Sequence, residues 1–162
     1  MGEGRFIEYS GADYGTLLDQ VPSITWVTRG VSMRPLIVSG RDYVTVEKAR
    51  GPLAPYDVAL YRQTGQGKTR YALHRVIGLE DGAYRILGDN CLNVEIVPRE
   101  DVVGVMTHLI RKGKEVDLEG RPYRAYARAW TALYPLRRIY MKARGMAARL
   151  LGRKKGGERQ TT

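Results

Sequence analysis

Ser32 lies in Gly30-Val31-Ser32-Met33-Arg34-Pro35-Leu36, where a β-branched and aromatic run gives way to glycine and a proline-stiffened turn. A turn of that kind can hold a hydroxyl clear of the chain, although serine also serves in turns as a plain cap. The hydroxyl becomes a nucleophile at neutral pH only when a neighbouring base takes its proton. Two histidines are available. His74 sits in Leu73-His74-Arg75-Val76-Ile77-Gly78, inside an alternating strand pattern, whereas His108 has no partner motif nearby. An imidazole, with an unperturbed pKa of about 6.5, suits the task. Leu87-Gly88-Asp89-Asn90-Cys91-Leu92-Asn93-Val94-Glu95 is turn-rich and supplies two carboxylates, Asp89 and Glu95. Either could hold the imidazole in the needed tautomer and stabilise the imidazolium that forms. Together these side chains suit acyl transfer by a serine, but separation along the chain cannot unite them. A fold must.

The elements expected to do so are mostly strands. Residues 11–21 read as a short helix closed by Pro22. Residues 24–28, 43–47, 57–61, 70–78, 84–87, 102–110 and 115–118 then carry β-branched, aromatic or alternating patterns. Glu80-Asp81-Gly82 and Lys112-Gly113-Lys114 mark tight hairpin turns, and Gly65-Gln66-Gly67 a further tip. Many strands and few helices predict a small, mostly-β domain of packed or coiled sheet rather than a parallel α/β fold.

Composition bounds the rest. A chain of 162 residues, 43% hydrophobic and 27% charged, has room for one domain with a genuine core. Its apolar runs are far shorter than the roughly 18 residues of a membrane span. Met1-Gly2-Glu3-Gly4-Arg5 leads into no apolar segment, so a secretory signal is not expected. A single cysteine, Cys91, forms no internal disulfide and fits a reducing compartment. One cysteine and two histidines also fall short of the four usual ligands of a structural zinc site.

The net charge of +10 is unevenly placed. Residues 1–120 hold 15 Lys and Arg against 16 Asp and Glu, while residues 121–162 hold 12 against Glu158 alone. The expected organisation is therefore a β-rich domain at 1–120, a basic helical appendage at 121–151 and a disordered tail at 152–162. Tyr123, Tyr126, Ala127, Trp130, Leu133 and Tyr134 follow helical spacing, which restarts after Pro135 at Leu136, Ile139, Tyr140, Ala143, Ala147 and Leu150. Two amphipathic helices broken at the proline are predicted. Trp130, Tyr134, Leu136, Ile139 and Tyr140 could enter an anionic membrane interface, or the first helix could dock on the domain. Nucleic acid is the least favoured of the three partners.

Four boxes in order resemble the signal peptidase I family. Gly30-Val31-Ser32-Met33-Arg34-Pro35 is similar to its Ser-Met-x-Pro nucleophile box, and Asp57-Val58-Ala59-Leu60-Tyr61 to its next strand. His74-Arg75-Val76-Ile77-Gly78 resembles the His-Arg-Val base segment of the endoplasmic-reticulum and archaeal branch, and Gly88-Asp89-Asn90 the family's Gly-Asp-Asn box. The boxes cover residues 24–106. The resemblance implies a β-rich protease fold and a serine endopeptidase acting on a peptide or protein precursor, with Ser32 as nucleophile and His74 as base. It also implies that no metal or organic cofactor is needed. By spacing, Glu95 stands nearest the branch's usual aspartate and is placed ahead of Asp89 as the histidine's partner. The Ser32 N–H would donate to the oxyanion, and Met33 and Leu36 would line an apolar cleft. The family's membrane enzymes carry anchors that this chain lacks, so it resembles the short anchorless bacterial members. A cytoplasmic protein, peripheral to the inner face of the membrane, is expected. The competing expectation is a binding module of the same fold that has lost the reaction.

Overall fold

In the computed structural model, residues 13–65 and 68–157 are described. Asp13 caps the first helix, α1 (Tyr14–Gln20), by accepting from the Gly15 and Thr16 amides. Eight strands follow: β1 (Ser23–Val27), β2 (Tyr43–Lys48), β3 (Val58–Gly65), β4 (Lys68–Glu80), β5 (Ala83–Leu87), β6 (Glu95–Val97), β7 (Val102–Arg111) and β8 (Lys114–Glu115). They form one antiparallel sheet in the order β1-β2-β7-β3-β4-β5-β6, with β8 paired to β7. The chain ends in α2 (Arg121–Ala132) and α3 (Tyr134–Gly157). The fold is mostly β, as the strand patterns predict.

The alternation of strand side chains explains the layout. On β3, Val58 and Leu60 join one apolar cluster while Ala59 and Tyr61 join another, so the central strand is covered on both faces. The continuous apolar run Val58-Ala59-Leu60-Tyr61 is what such a strand requires. Asp81-Gly82 and Lys112-Gly113 take the consecutive positive φ values of tight hairpins, 48° and 81°, then 53° and 75°. The tip at Gly65-Gln66-Gly67 lies partly outside the described residues.

Between β1 and β2 the chain makes no strand, and buried anchors hold it instead. Met33, Leu36 and Ile37 enter the first core. Asp42 is fully buried and accepts from the Val38 amide at 2.8 Å, the Lys112 amide at 3.2 Å and both ends of Arg41. Burial alone would raise its pKa; these hydrogen bonds and the Arg41 charge bring it down to about 2. Leu36, expected at a cleft, is a core residue.

The C-terminal segment departs from expectation at two points and follows the docking alternative at a third. The break between helices falls at Leu133, and Pro135 sits in the first turn of α3, where its missing N–H removes no helical bond. Trp130 and Tyr134 follow the docking alternative rather than the lipid one, because their polar tips find partners on the domain: the indole donates to the Asp89 carbonyl at 2.9 Å and the phenol to the Leu92 carbonyl at 2.7 Å. Finally, α3 runs to Gly157, past the expected tail boundary. The remainder of the expected tail, residues 158–162, lies outside the described residues.

Candidate active site

Ser32 opens the turn that follows β1, after Gly30 at φ +92°. Its carbonyl accepts from the Asn90 amide at 2.7 Å, and the Asn90 side chain donates to the Val31 carbonyl at 3.2 Å. The loop after β5 thus grips the serine turn from the side. Gly88 makes that approach possible. A Cβ there would lie 2.5 Å from Cys91 Sγ, 2.9 Å from the Ser32 carbonyl and 3.1 Å from His74 Cδ2. Backbone of residue 32 and ring of residue 74 therefore lie within 3.1 Å of one point.

His74, buried on β4 opposite Ala59 of β3, engages through Nδ1. That nitrogen is 2.8 Å from the Tyr61 phenol and 3.4 Å from Glu95 Oε1. The phenol also accepts from Gln63 Nε2 at 3.4 Å, while Gln63 donates to Glu95 Oε2 at 2.6 Å. Because the Glu95 carboxylate beside Nδ1 can only accept, it favours the tautomer with the proton on Nδ1, for which the Tyr61 oxygen is also an acceptor. Nε2, on the Cδ2 side near the serine turn, is left as an acceptor. Burial lowers the His74 pKa, opposed by the charges of Glu95 and Asp89, so the ring is neutral at neutral pH.

Ser32 and His74 both border a cleft of ≈ 270 Å3, together with Thr28, Gly30, Met33, Ile37, Gln63, Tyr71, Ala72 and Leu73. Ser32 and His74 border this space without a side-chain hydrogen bond between them among the described residues. A larger hollow of ≈ 670 Å3 lies elsewhere. It gathers His108, Glu115, Asp57, Asp117 and Glu119, but neither serine nor cysteine lines it. Cys91, beside the cleft, is no rival nucleophile, since burial and then Glu95 raise its pKa and keep the thiol protonated.

The two candidate carboxylates do different work. Adjacent residues on a strand point to opposite faces, so His74 and Arg75 cannot share one partner closely. Asp89 takes Arg75: its carboxylate receives Nε and Nη2 at 2.9 Å each, and Tyr126 Oη at 2.9 Å. Arg75 also donates to the Tyr56 carbonyl at 3.0 Å and the Tyr123 phenol at 3.1 Å. Burial works against its charge, and the bonds to Asp89 outweigh that and push its pKa up. Glu95, half-buried at the start of β6, is the carboxylate beside His74.

Sequence reasoning missed Tyr61 and Gln63. The signal was present in the hairpin: once a tip is placed at residues 65–67, period-2 alternation puts positions 59, 61 and 63 on one face beside His74.

No family model matches the chain, and no curated protein or solved structure matches it.

Proposed function

We propose that the chain is a serine endopeptidase of the signal peptidase I type that cuts a peptide or protein precursor. One observation carries the reading: Ser32 and His74 border a single cleft, and the far nitrogen of His74 is engaged by Tyr61 and Glu95. On this reading a peptide carbonyl enters the cleft and a rotation of the serine side chain brings Oγ to His74 Nε2. The imidazole takes the proton as Oγ attacks, and the ion pair with Glu95 stabilises the imidazolium. The Ser32 N–H donates to the oxyanion, a contact of about 3 kcal/mol in such sites. The imidazolium then protonates the leaving amine, and water releases the acyl group by the same steps reversed. A protein with this charge distribution would meet its precursor at the cytoplasmic face of a membrane.

The test is cleavage of a diverse peptide library followed by mass spectrometry. Wild type should release defined fragments, Ser32→Ala and His74→Ala none. Wild type without cleavage would instead favour a binding module built on the same residues, and equal cleavage by Ser32→Ala would remove Ser32 from the reaction.

A further inference from the structure

Helix α3 presents two different faces. Tyr134, Arg137 and Met141, at i, i+3 and i+7, are partly buried: Tyr134 donates to the Leu92 carbonyl, and Arg137 lies over the Trp130 ring at 4.4 Å and donates to the Asp89 carbonyl. That face is occupied by the domain. Leu136, Ile139, Tyr140 and Met146 fall on another arc, at i, i+3, i+4 and i+10, and each is at least 60% exposed. Large apolar side chains in register on a docked helix are not the scattered exposure of an ordinary surface. Arg138, Lys142 and Arg144, all exposed, flank the arc. Over the whole helix there are eight Lys and Arg and no Asp or Glu.

We infer that this arc of α3 is an interface for an anionic lipid surface. Leu136, Ile139, Tyr140 and Met146 enter the headgroup–acyl boundary, while the flanking cations meet phosphate headgroups. The cation count selects lipid over a second copy of the chain, because two copies would bring these like charges together. The apolar arc selects lipid over nucleic acid, which would reward the cations but leave four large hydrophobic side chains in water. Because docking uses the other face, α3 binds lipid without leaving the domain. The loop that carries Gly88–Asn90 therefore stays clamped while the molecule rests on the membrane. The proposal goes beyond the peptidase reading and does not depend on it.

Full-length protein is sedimented with phosphatidylcholine vesicles, with or without phosphatidylglycerol, at low and high salt. Wild type and Ser32→Ala are expected to pellet equally with the anionic vesicles, weakly with neutral ones and less at high salt. Arg138→Gln with Lys142→Gln should weaken the anionic binding about 30-fold. Leu136→Ser, Ile139→Ser and Tyr140→Ser together should weaken it about 100-fold or more, with circular dichroism and melting unchanged because all three are exposed. Equal pelleting of the triple variant and wild type would overturn the inference, and so would indifference to phosphatidylglycerol. Single-stranded RNA that binds the triple variant as tightly as wild type, with no vesicle binding by either, would reassign the face to nucleic acid. A dimer dissolved by the triple variant, again without vesicle binding, would reassign it to a second copy. Loss of cleavage in Ser32→Ala with intact pelleting separates the two proposals.

Discussion

His74 is made useful by what sits on its far side. A buried imidazole alone would be neutral but free to carry its proton on either nitrogen. Glu95, 3.4 Å from Nδ1 and able only to accept, favours a proton on that nitrogen, and the Tyr61 oxygen at 2.8 Å can accept it too, which leaves Nε2 bare. Glu95→Gln removes the charge and offers an amide donor in its place, which favours the other tautomer. The expected loss in kcat is about 100-fold or more, with little change in KM. A kcat within threefold or so of wild type would remove Glu95 from the mechanism. The pH profile follows from the direction of the shift. Since burial lowers the His74 pKa, the rise in kcat/KM must be centred below about pH 6.5, the unperturbed imidazole value. A rise centred in the alkaline range would point to a different base. Residues 32 and 74 stood out in the sequence only because four motif boxes occur in order, since a serine in a turn is by itself more often a plain cap. Which carboxylate does what was not legible, because the split between Asp89 and Glu95 depends on which face of β4 each approaches.

At the scale of elements, the three residues Gly88, Asp89 and Asn90 each fasten something different. Gly88 lets the loop pass between the serine turn and the imidazole, Asp89 ties down Arg75, and Asn90 bonds the backbone at Val31 and Ser32. In Gly88→Ala the new methyl would meet the Ser32 carbonyl, which is backbone and cannot rotate away. Such overpacking costs about 1 to 3 kcal/mol, and the shift falls on the reacting groups. Asp89→Ala should cost about 3 to 5 kcal/mol, because it leaves a guanidinium buried without its carboxylate. Glu95→Gln, at a half-exposed site, should cost about 1 kcal/mol or less. Urea denaturation of the two variants checks the contrast, and equal losses would refute the division of labour between them. Most strands were readable from alternation and turn residues. Strand β6 was not: three residues after a turn-rich stretch give too short a period to detect, and its pairing with β5 decides it. The break before α3 was readable to within two residues, and its exact place was not, since a proline in the first turn of a helix and a proline that ends one look alike in sequence.

For the whole molecule, buried titrating groups link folding to pH. His74 has a lowered folded pKa, so its contribution is complete above about pH 6.5 and falls away as pH drops through the folded value. Asp42, held at about 2 against an ordinary 3.8, contributes fully above pH 3.8 and loses that contribution as pH falls toward 2. Stability should therefore decline in two acid steps. Asp42→Asn should shrink the second, which Asp13, also held at about 2, shares, and leave the first, as read from urea midpoints across pH. The docking of α2 and α3 also belongs to this scale. Tyr123 and Tyr126 pack against the first core, so the positive segment is bound to the domain at its start and unpartnered along one arc of α3. The charge asymmetry was plain from composition. The separation of docked and open faces was not, because the same aromatic spacing serves both until the polar tips of Trp130 and Tyr134 find their acceptors.

Whether residue 32 is a nucleophile activated by residue 74 is most directly answered by covalent labelling with a fluorophosphonate and mass mapping of the adduct. The adduct should sit on Ser32, vanish in Ser32→Ala, fall sharply in His74→Ala and form faster as pH rises through the imidazole pKa. An adduct on another residue, or labelling of Ser32 at the same rate in His74→Ala, would contradict the pairing.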